Sequence, residues 1–239
     1  MRPKTWRYLV DCASQGSRSD KSPVTLLQLA IIKTMSNLST RGLIVETADQ
    51  LFYQQGFEHT SFSHIAEAIN ISRGNFYHHF KTKDEILEAV IQLRLAKTQE
   101  MLDRWEADGK HPRERIQSFI QILVMNKANI KRYGCPVGTL CSELAKLNHG
   151  SLADSNALLT LFRIWLRKQF VLLGREADAD QLAMHALAFS QGVATLANVF
   201  KDEKFIKNEV NQMLDWLKLC EENITSSEPA SAPEPTGEK

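Results

Sequence analysis

The sequence predicts an all-α protein of nine helices, and three observations predict it. From Thr40 to Cys220 apolar residues return every three or four positions, which is the spacing of a helix face. No stretch alternates apolar and polar residues as a half-buried strand does. Capping signals and breakers, such as "TKDE" at Thr82 to Glu85, Gly56, Gly109 and Pro112, cut the pattern into helix-length pieces.

The elements follow in order. Leu43, Ile44, Ala48, Leu51 and Phe52 stripe a first helix that stops at Gly56. Phe62, Ile65, Ala66 and Ile69 fit the i, i+3, i+4, i+7 template of a second. Phe76 and Phe80 lie one turn apart on a third. Thr82 caps a long fourth helix and Glu85 reaches back to it; that helix runs to about Asp108. One helix is expected from Pro112 to Tyr133, and a short one from the "RYGCPVGTLCSEL" corner to His149 and Gly150. Three longer ones fill roughly 151–173, 178–200 and 203–221. Three short helices therefore precede six that form a larger body.

Composition narrows the class. Of 239 residues, 43% are hydrophobic and 24% charged, as in an ordinary globular protein with a sizeable core. The net charge is +1, so any nucleic-acid surface must be a local patch. Four cysteines, Cys12, Cys135, Cys141 and Cys220, are too few and too scattered for a disulfide framework, which fits a reducing cytoplasm. The longest apolar run, Val24 to Ile32, falls short of the roughly 20 residues a bilayer requires, so no membrane partner is expected.

The ends differ from the middle. Residues 222–239 are rich in Pro, Ser and Glu and are expected to form a disordered tail. Residues 1–34 lack periodicity, and "MSNLSTRG" at Met35 reads like a natural start, so they are expected to be poorly ordered or an upstream extension. The rest divides at about residue 84 into a head of three short helices, residues 35–84, and a larger helical body, residues 85–221.

The DNA-binding expectation comes from "TSFSHIAEAINISRGNFYHHFKTKDEIL", Thr60 to Leu87. Asn70 can take the left-handed turn conformation and Ser72 can cap the next helix, so two short helices meet through a tight turn, as in a helix-turn-helix. With Phe76 and Phe80 inward, Arg73, Asn75, Tyr77, His78 and His79 are left for other faces, and Gly74 admits a close backbone. From Ser72 to Lys83 there are three cationic residues, Arg73, Lys81 and Lys83, and no acidic one. Arg and Asn pair with base edges; Ser, Thr, Tyr, His and Lys suit phosphates. An exposed polar helix with a satisfied histidine pair is the plainer alternative.

This stretch closely resembles the DNA-binding domain of the TetR/AcrR family of bacterial transcriptional regulators. The resemblance rests on Gly56, Phe57, Thr60, Ile65, Ala66, Ser72, Gly74, Phe76, Tyr77, Phe80, Lys83 and Glu85; Asn70 stands where the family usually has glycine. It implies a nine-helix TetR-like fold and a homodimer on a pseudo-palindromic double-stranded DNA operator. By that resemblance residues 35–84 form the DNA-binding domain and 85–221 the effector-binding and dimerisation domain, and Thr60, Tyr77, His78 and Lys83 touch phosphates, with Ser61 and Ser72 beside them; Arg73 and Asn75, next to Gly74, are expected to read bases on the chemistry of their side chains. It also implies that the last two helices pair with a second subunit, through an apolar edge of Phe189, Val193, Ile206, Val210, Met213 and Leu217. An effector pocket for an unknown small-molecule inducer is expected among Phe119, Leu123, Met125, Phe162, Trp165 and Phe189, although such residues are more often core.

Cys135 and Cys141 remain. No four-ligand metal spacing surrounds them, and neither His111 nor His149 falls in a nucleophile motif, so no metal, no cofactor and no enzyme activity is expected. Pro136 suits the first position of a helix, which puts Cys135 at its N-cap, where amides and nearby Lys131 and Arg132 favour a thiolate. The alternatives are a redox or electrophile sensor and a small packed cysteine at a tight turn. The expected protein is a transcriptional regulator that binds specific DNA, a repressor released by a small-molecule or redox signal. The rivals are an architectural DNA-binding protein of the same fold and a cysteine-dependent enzyme.

Overall fold

The computed structural model describes residues 39–225. The expectations for residues 1–34, for Met35 as the start and for the tail beyond Thr225 lie outside them. Every regular element among the described residues is a helix: α1 (Thr40–Gln55), α2 (Phe62–Ala68), α3 (Arg73–His79), α4 (Lys83–Asp108), α5 (Pro112–Met125), α6 (Lys127–Tyr133), α7 (Pro136–Lys146), α8 (Leu152–Leu172), α9 (Ala179–Phe200) and α10 (Glu203–Thr225). The helix expected from Pro112 to Tyr133 is bent at Asn126 into α5 and α6. Asn126 donates its side-chain amide to the Ile122 carbonyl, 3.1 Å away, and so competes with the backbone at the bend. Counted as one bent rod, that pair leaves the predicted nine. The last helix runs on to Thr225, past the expected start of the tail.

Local chemistry sets the ends. Ser39, Ser61, Ser72 and Thr82 each accept a backbone N–H in the first turn of their helices. Asn70 takes φ +54°, the left-handed conformation its position in the turn requires.

Two apolar cores form. The head core joins Ile44, Ala48 and Phe52 of α1 to Phe57, Ile65, Phe76 and Phe80, and to Ile86, Leu87, Val90 and Ile91 of α4. Each fully buried aromatic ring there contributes about 1.5–3 kcal/mol. Leu140 and Leu144 of α7 belong to the same core. The head is therefore built partly from residues far beyond 84. The body core is formed by α4, α5, α6, α8, α9 and α10 around Leu102, Ile116, Leu166, Phe170, Ala194, Ile206 and Leu217.

The two cores meet at a buried ion pair. Arg94 on α4 donates through Nε to Asp49 Oδ1 on α1 at 2.6 Å and through Nη1 to the Pro136 carbonyl of α7, also at 2.6 Å. Its Nη2 reaches the Asp49 carbonyl at 3.4 Å. Both residues are 7% exposed. A charge removed from water at this depth is tolerable only with its partner in place.

Arg94→Met alone is therefore expected to destabilise the fold by about 3–5 kcal/mol, and the double variant Arg94→Met/Asp49→Leu to recover much of the loss. Urea denaturation followed by circular dichroism measures both. A single variant as stable as the parent would remove the pair from its structural role.

Candidate DNA-reading head and effector cavity

α2 and α3 are linked by residues 69–72, and α3 sits on the head through Phe76, 1% exposed, and the following Phe80, also 1%. The opposite side of α3 is open. Arg73, Gly74, Asn75, Tyr77 and His78 are all exposed, Tyr77 by 46%. Gly74 and His78 are one turn apart and point away from Phe76. A Cβ on Gly74 would meet nothing within 4 Å, so another backbone could lie against it. Arg73 donates to Ser63 Oγ at 3.1 Å, which joins α3 to α2, and the Tyr77 ring stands edge-on to Phe62. Lys81 donates its ammonium to the Tyr77 carbonyl at the end of α3. These side chains form one polar, locally basic edge on a short helix.

Some residues expected at phosphates have other work. Thr60 is 1% exposed; its hydroxyl donates to the Gly56 carbonyl at 2.7 Å and accepts from Gln55 Nε2 at 3.2 Å. Lys83 donates to the carbonyls of Phe57 and Glu58, each at 3.1 Å, and lies 4.3 Å from the centre of the Phe57 ring. Thr60 and Lys83 thus also shape the turn before α2. Ser61 and Ser72 are exposed caps whose hydroxyls accept from His64 and Asn75 N–H groups, at 3.2 Å each.

That turn is also held from the body. Glu143 of α7 accepts the Phe57 and Glu58 amides, each at 2.9 Å. Gly56 makes room for it: its φ is +92°, and a Cβ there would stand 3.0 Å from Glu143 Oε1. Tyr53 of α1 donates to the Gly134 carbonyl at 2.8 Å. Burial, together with the nearby Cys135, pushes the Tyr53 hydroxyl well above its usual pKa, so it remains a donor at neutral pH.

Behind this corner lies a cavity of about 180 Å³. Phe119 and Phe162, with ring centres 5.6 Å apart, and Leu123 form part of its wall, as expected. Met125, Trp165 and Phe189 do not. Met125 is 43% exposed on the outer side of α5, Trp165 packs against Trp105 and Phe189 against the body core. The wall includes residues whose role periodicity did not suggest: Tyr53, Arg94, Pro136 and Gln191.

The thiols separate. Cys135 is the N-cap of α7, as expected; its sulfur accepts the Gly138 amide at 3.4 Å and it lines the cavity, half-buried. Lys131 is engaged with Glu203 at 2.8 Å. Cys141 is buried, donates to the Ser155 carbonyl at 3.4 Å, and has its pKa raised by burial. Its side chain is held within the packing between α7 and α8. Among the described residues no cluster of three metal-ligating side chains forms, and no helix is long and apolar enough to cross a membrane.

The expected dimer edge also needs correction. Val193, Ile206, Val210, Met213 and Leu217 are each at most 4% exposed inside the subunit, and Phe189 is half-buried against the same core. Their stripe holds α9 and α10 to their own body. The exposed stripe of α9 is another one: Met184, Ala188, Gly192, Leu196 and Val199.

Among the described residues, a six-rod helical body carrying a three-helix head with an exposed helix-turn-helix defines a DNA-binding transcriptional regulator. Residues 44–90 match the family described as bacterial regulatory proteins, tetR family. The HTH-type transcriptional regulator in the lacX 3' region of Lactococcus lactis is 30% identical over 190 residues, 78% of this chain and 95% of that one. The HTH-type transcriptional repressor DhaR of a Mycobacterium species is 22% identical over 80% of this chain and 99% of its own. A TetR transcriptional regulator from Legionella pneumophila superposes with a TM-score of 0.67 at 26% identity, over 75% of this chain and 98% of that one. The chain belongs to the TetR family.

Operator affinity measured against salt concentration separates the roles in the head. Arg73→Ala and Tyr77→Ala are each expected to weaken binding by about 1–3 kcal/mol. Lys83→Ala is expected to lower the melting temperature and leave the salt slope unchanged, because its ammonium is already bonded. A slope shallower by about one unit would return Lys83 to the phosphate contacts.

Proposed function

We propose that the protein is a homodimeric repressor, working in the cytoplasm, that leaves its operator when a small molecule enters the body cavity. One observation carries this reading: Tyr53, Arg94 and Pro136 belong both to the cavity wall and to the bonds that hold the head. A ligand touching them acts on α1, α4 and the start of α7 together. The head turn follows through Glu143 of α7. Ligand binding then favours an arrangement in which the two heads no longer match successive major grooves, about 34–36 Å apart. Arg73 and Asn75 are assigned to base edges, with Tyr77, His78, Ser61 and Ser72 at the backbone. No catalytic step, metal or cofactor is part of the proposal.

The second subunit is assigned to the exposed stripe of α9. Ala188 and Gly192 would let a partner helix approach closely, and Leu196 and Val199, 43% and 65% exposed, supply apolar area. Gly192→Glu and Leu196→Glu should each yield monomers by sedimentation equilibrium and weaken operator binding at least tenfold. A dimer that survives both places the interface elsewhere. Deleting the gene should raise transcripts from the promoters the protein occupies; a fall would make it an activator.

The position of Cys135 on the same wall favours a second mode of release. An electrophile held in the cavity meets a thiol at the N-cap of the 11-residue α7, beside the corner that anchors the head. Under this mode Cys135→Ser retains operator binding and loses release by N-ethylmaleimide. Release that persists in the variant removes Cys135 from the mechanism.

A further inference from the structure

The charged groups on the cavity wall cancel locally. Among the described residues the wall includes two carboxylates and two cations, and each is paired within the protein. Glu46 accepts from Lys97 at 2.7 Å. Asp49 accepts from Arg94 at 2.6 Å, and the other two arms of Arg94 reach the Pro136 and Asp49 carbonyls. Each guanidinium nitrogen already donates within the protein. An ion entering here would lose its hydration without gaining a counter-charge, which is strongly unfavourable in an apolar site.

The surface the wall presents is mostly apolar and of a definite size. Phe119, Leu123, Val137, Phe162 and Leu187 supply aromatic and aliphatic surface. A cavity of about 180 Å³ is slightly larger than the roughly 150 Å³ cavity that holds benzene in an engineered protein. It therefore accommodates one ring with a small substituent. The half-buried Gln191 has hydrogen-bonding capacity to spare on this wall: its one side-chain bond is long, 3.4 Å from Nε2 to Ser190 Oγ. Its Oε1 lies against Gly138, where a Cβ would come within 2.1 Å, so α7 and α9 meet at this amide.

We infer that the effector is an uncharged, single-ring molecule carrying one hydroxyl or carbonyl, bound with its ring against Phe119 and Phe162 and its polar group beside Gln191. This rests on the effector reading above and adds the ligand's charge, size and orientation.

The test uses the full-length protein and three probes that share one ring: benzyl alcohol, benzoate and benzylammonium at pH 7. Titration calorimetry should show the alcohol binding at least about tenfold more tightly than either ion. Val137→Trp, which fills the cavity from its partly exposed side, and Phe162→Trp should each reduce that binding by about tenfold or more, with circular dichroism confirming that the variants are folded. Gln191→Leu should weaken the alcohol and leave toluene unaffected. An ion that binds as well as the alcohol overturns the inference. So does an alcohol that fails to bind up to its solubility limit, or one whose affinity neither tryptophan changes. Operator binding is read in the same titrations. Benzyl alcohol that occupies the cavity while the operator stays bound would leave the ligand class standing and overturn release by ligand.

Discussion

The arrangement depends on one guanidinium. Arg94 sits on α4, the helix shared by both cores, and is bonded to α1 on one side and to the first residue of α7 on the other. Burying a charge is costly unless it is paired and hydrogen-bonded, and here the Asp49 carboxylate and two carbonyls take one bond from each guanidinium nitrogen. The pair therefore selects one relative position for three helices. Apolar contacts alone would tolerate several, because sliding one aliphatic surface over another changes little free energy.

The head inherits that choice. With α7 placed, Glu143 reaches the Phe57 and Glu58 amides and Leu140 and Leu144 complete the head core. The turn before α2 is then bound from both sides, by Lys83 and by Glu143. The short helices α2 and α3, seven residues each, would not be stable alone. They are rigid because Phe57, Phe76 and Phe80 are buried against elements the body positions. A regulator of this construction has its output surface held by the same bonds that border its cavity.

The corner at Gly134 to Pro136 shows how local and distant demands combine. Gly134 takes φ +82°, which ends α6, and Pro136 starts α7 with Cys135 as its cap. The carbonyls of Lys131 and Gly134 at the end of α6 are taken up by Asn198 and Lys201 from the body side and by Tyr53 from the head side, and the carbonyl of Pro136, the first residue of α7, accepts from Arg94. The corner is thus a junction between the two halves. Its thiol borders the cavity because of that position, while Cys141, six residues on, is buried.

Much of this was legible in the chain. The helices, their caps, the left-handed Asn70 and the inward Phe76 and Phe80 follow from local preference and periodicity, which act over four or five residues. The family resemblance rests on the same short-range pattern. Whether an apolar stripe faces its own core or a partner is not local information. Val193, Ile206 and Leu217 form a regular stripe, and only the packing of α9 and α10 shows that it is internal and that Gly192 and Leu196 face outward. Met125, Trp165 and Phe189 have the right character for a pocket, but a cavity is the space left after many helices have packed. Arg94 did carry a signal, a charge on the inward stripe between Ile91 and Thr98, yet its partner is 45 residues away. The sequence by itself determined the helices and the chemistry of the reading edge, because those depend on neighbours in the chain. The tertiary structure decided the cavity wall, the free face of α9 and the junction between them, because each depends on which distant groups are brought together.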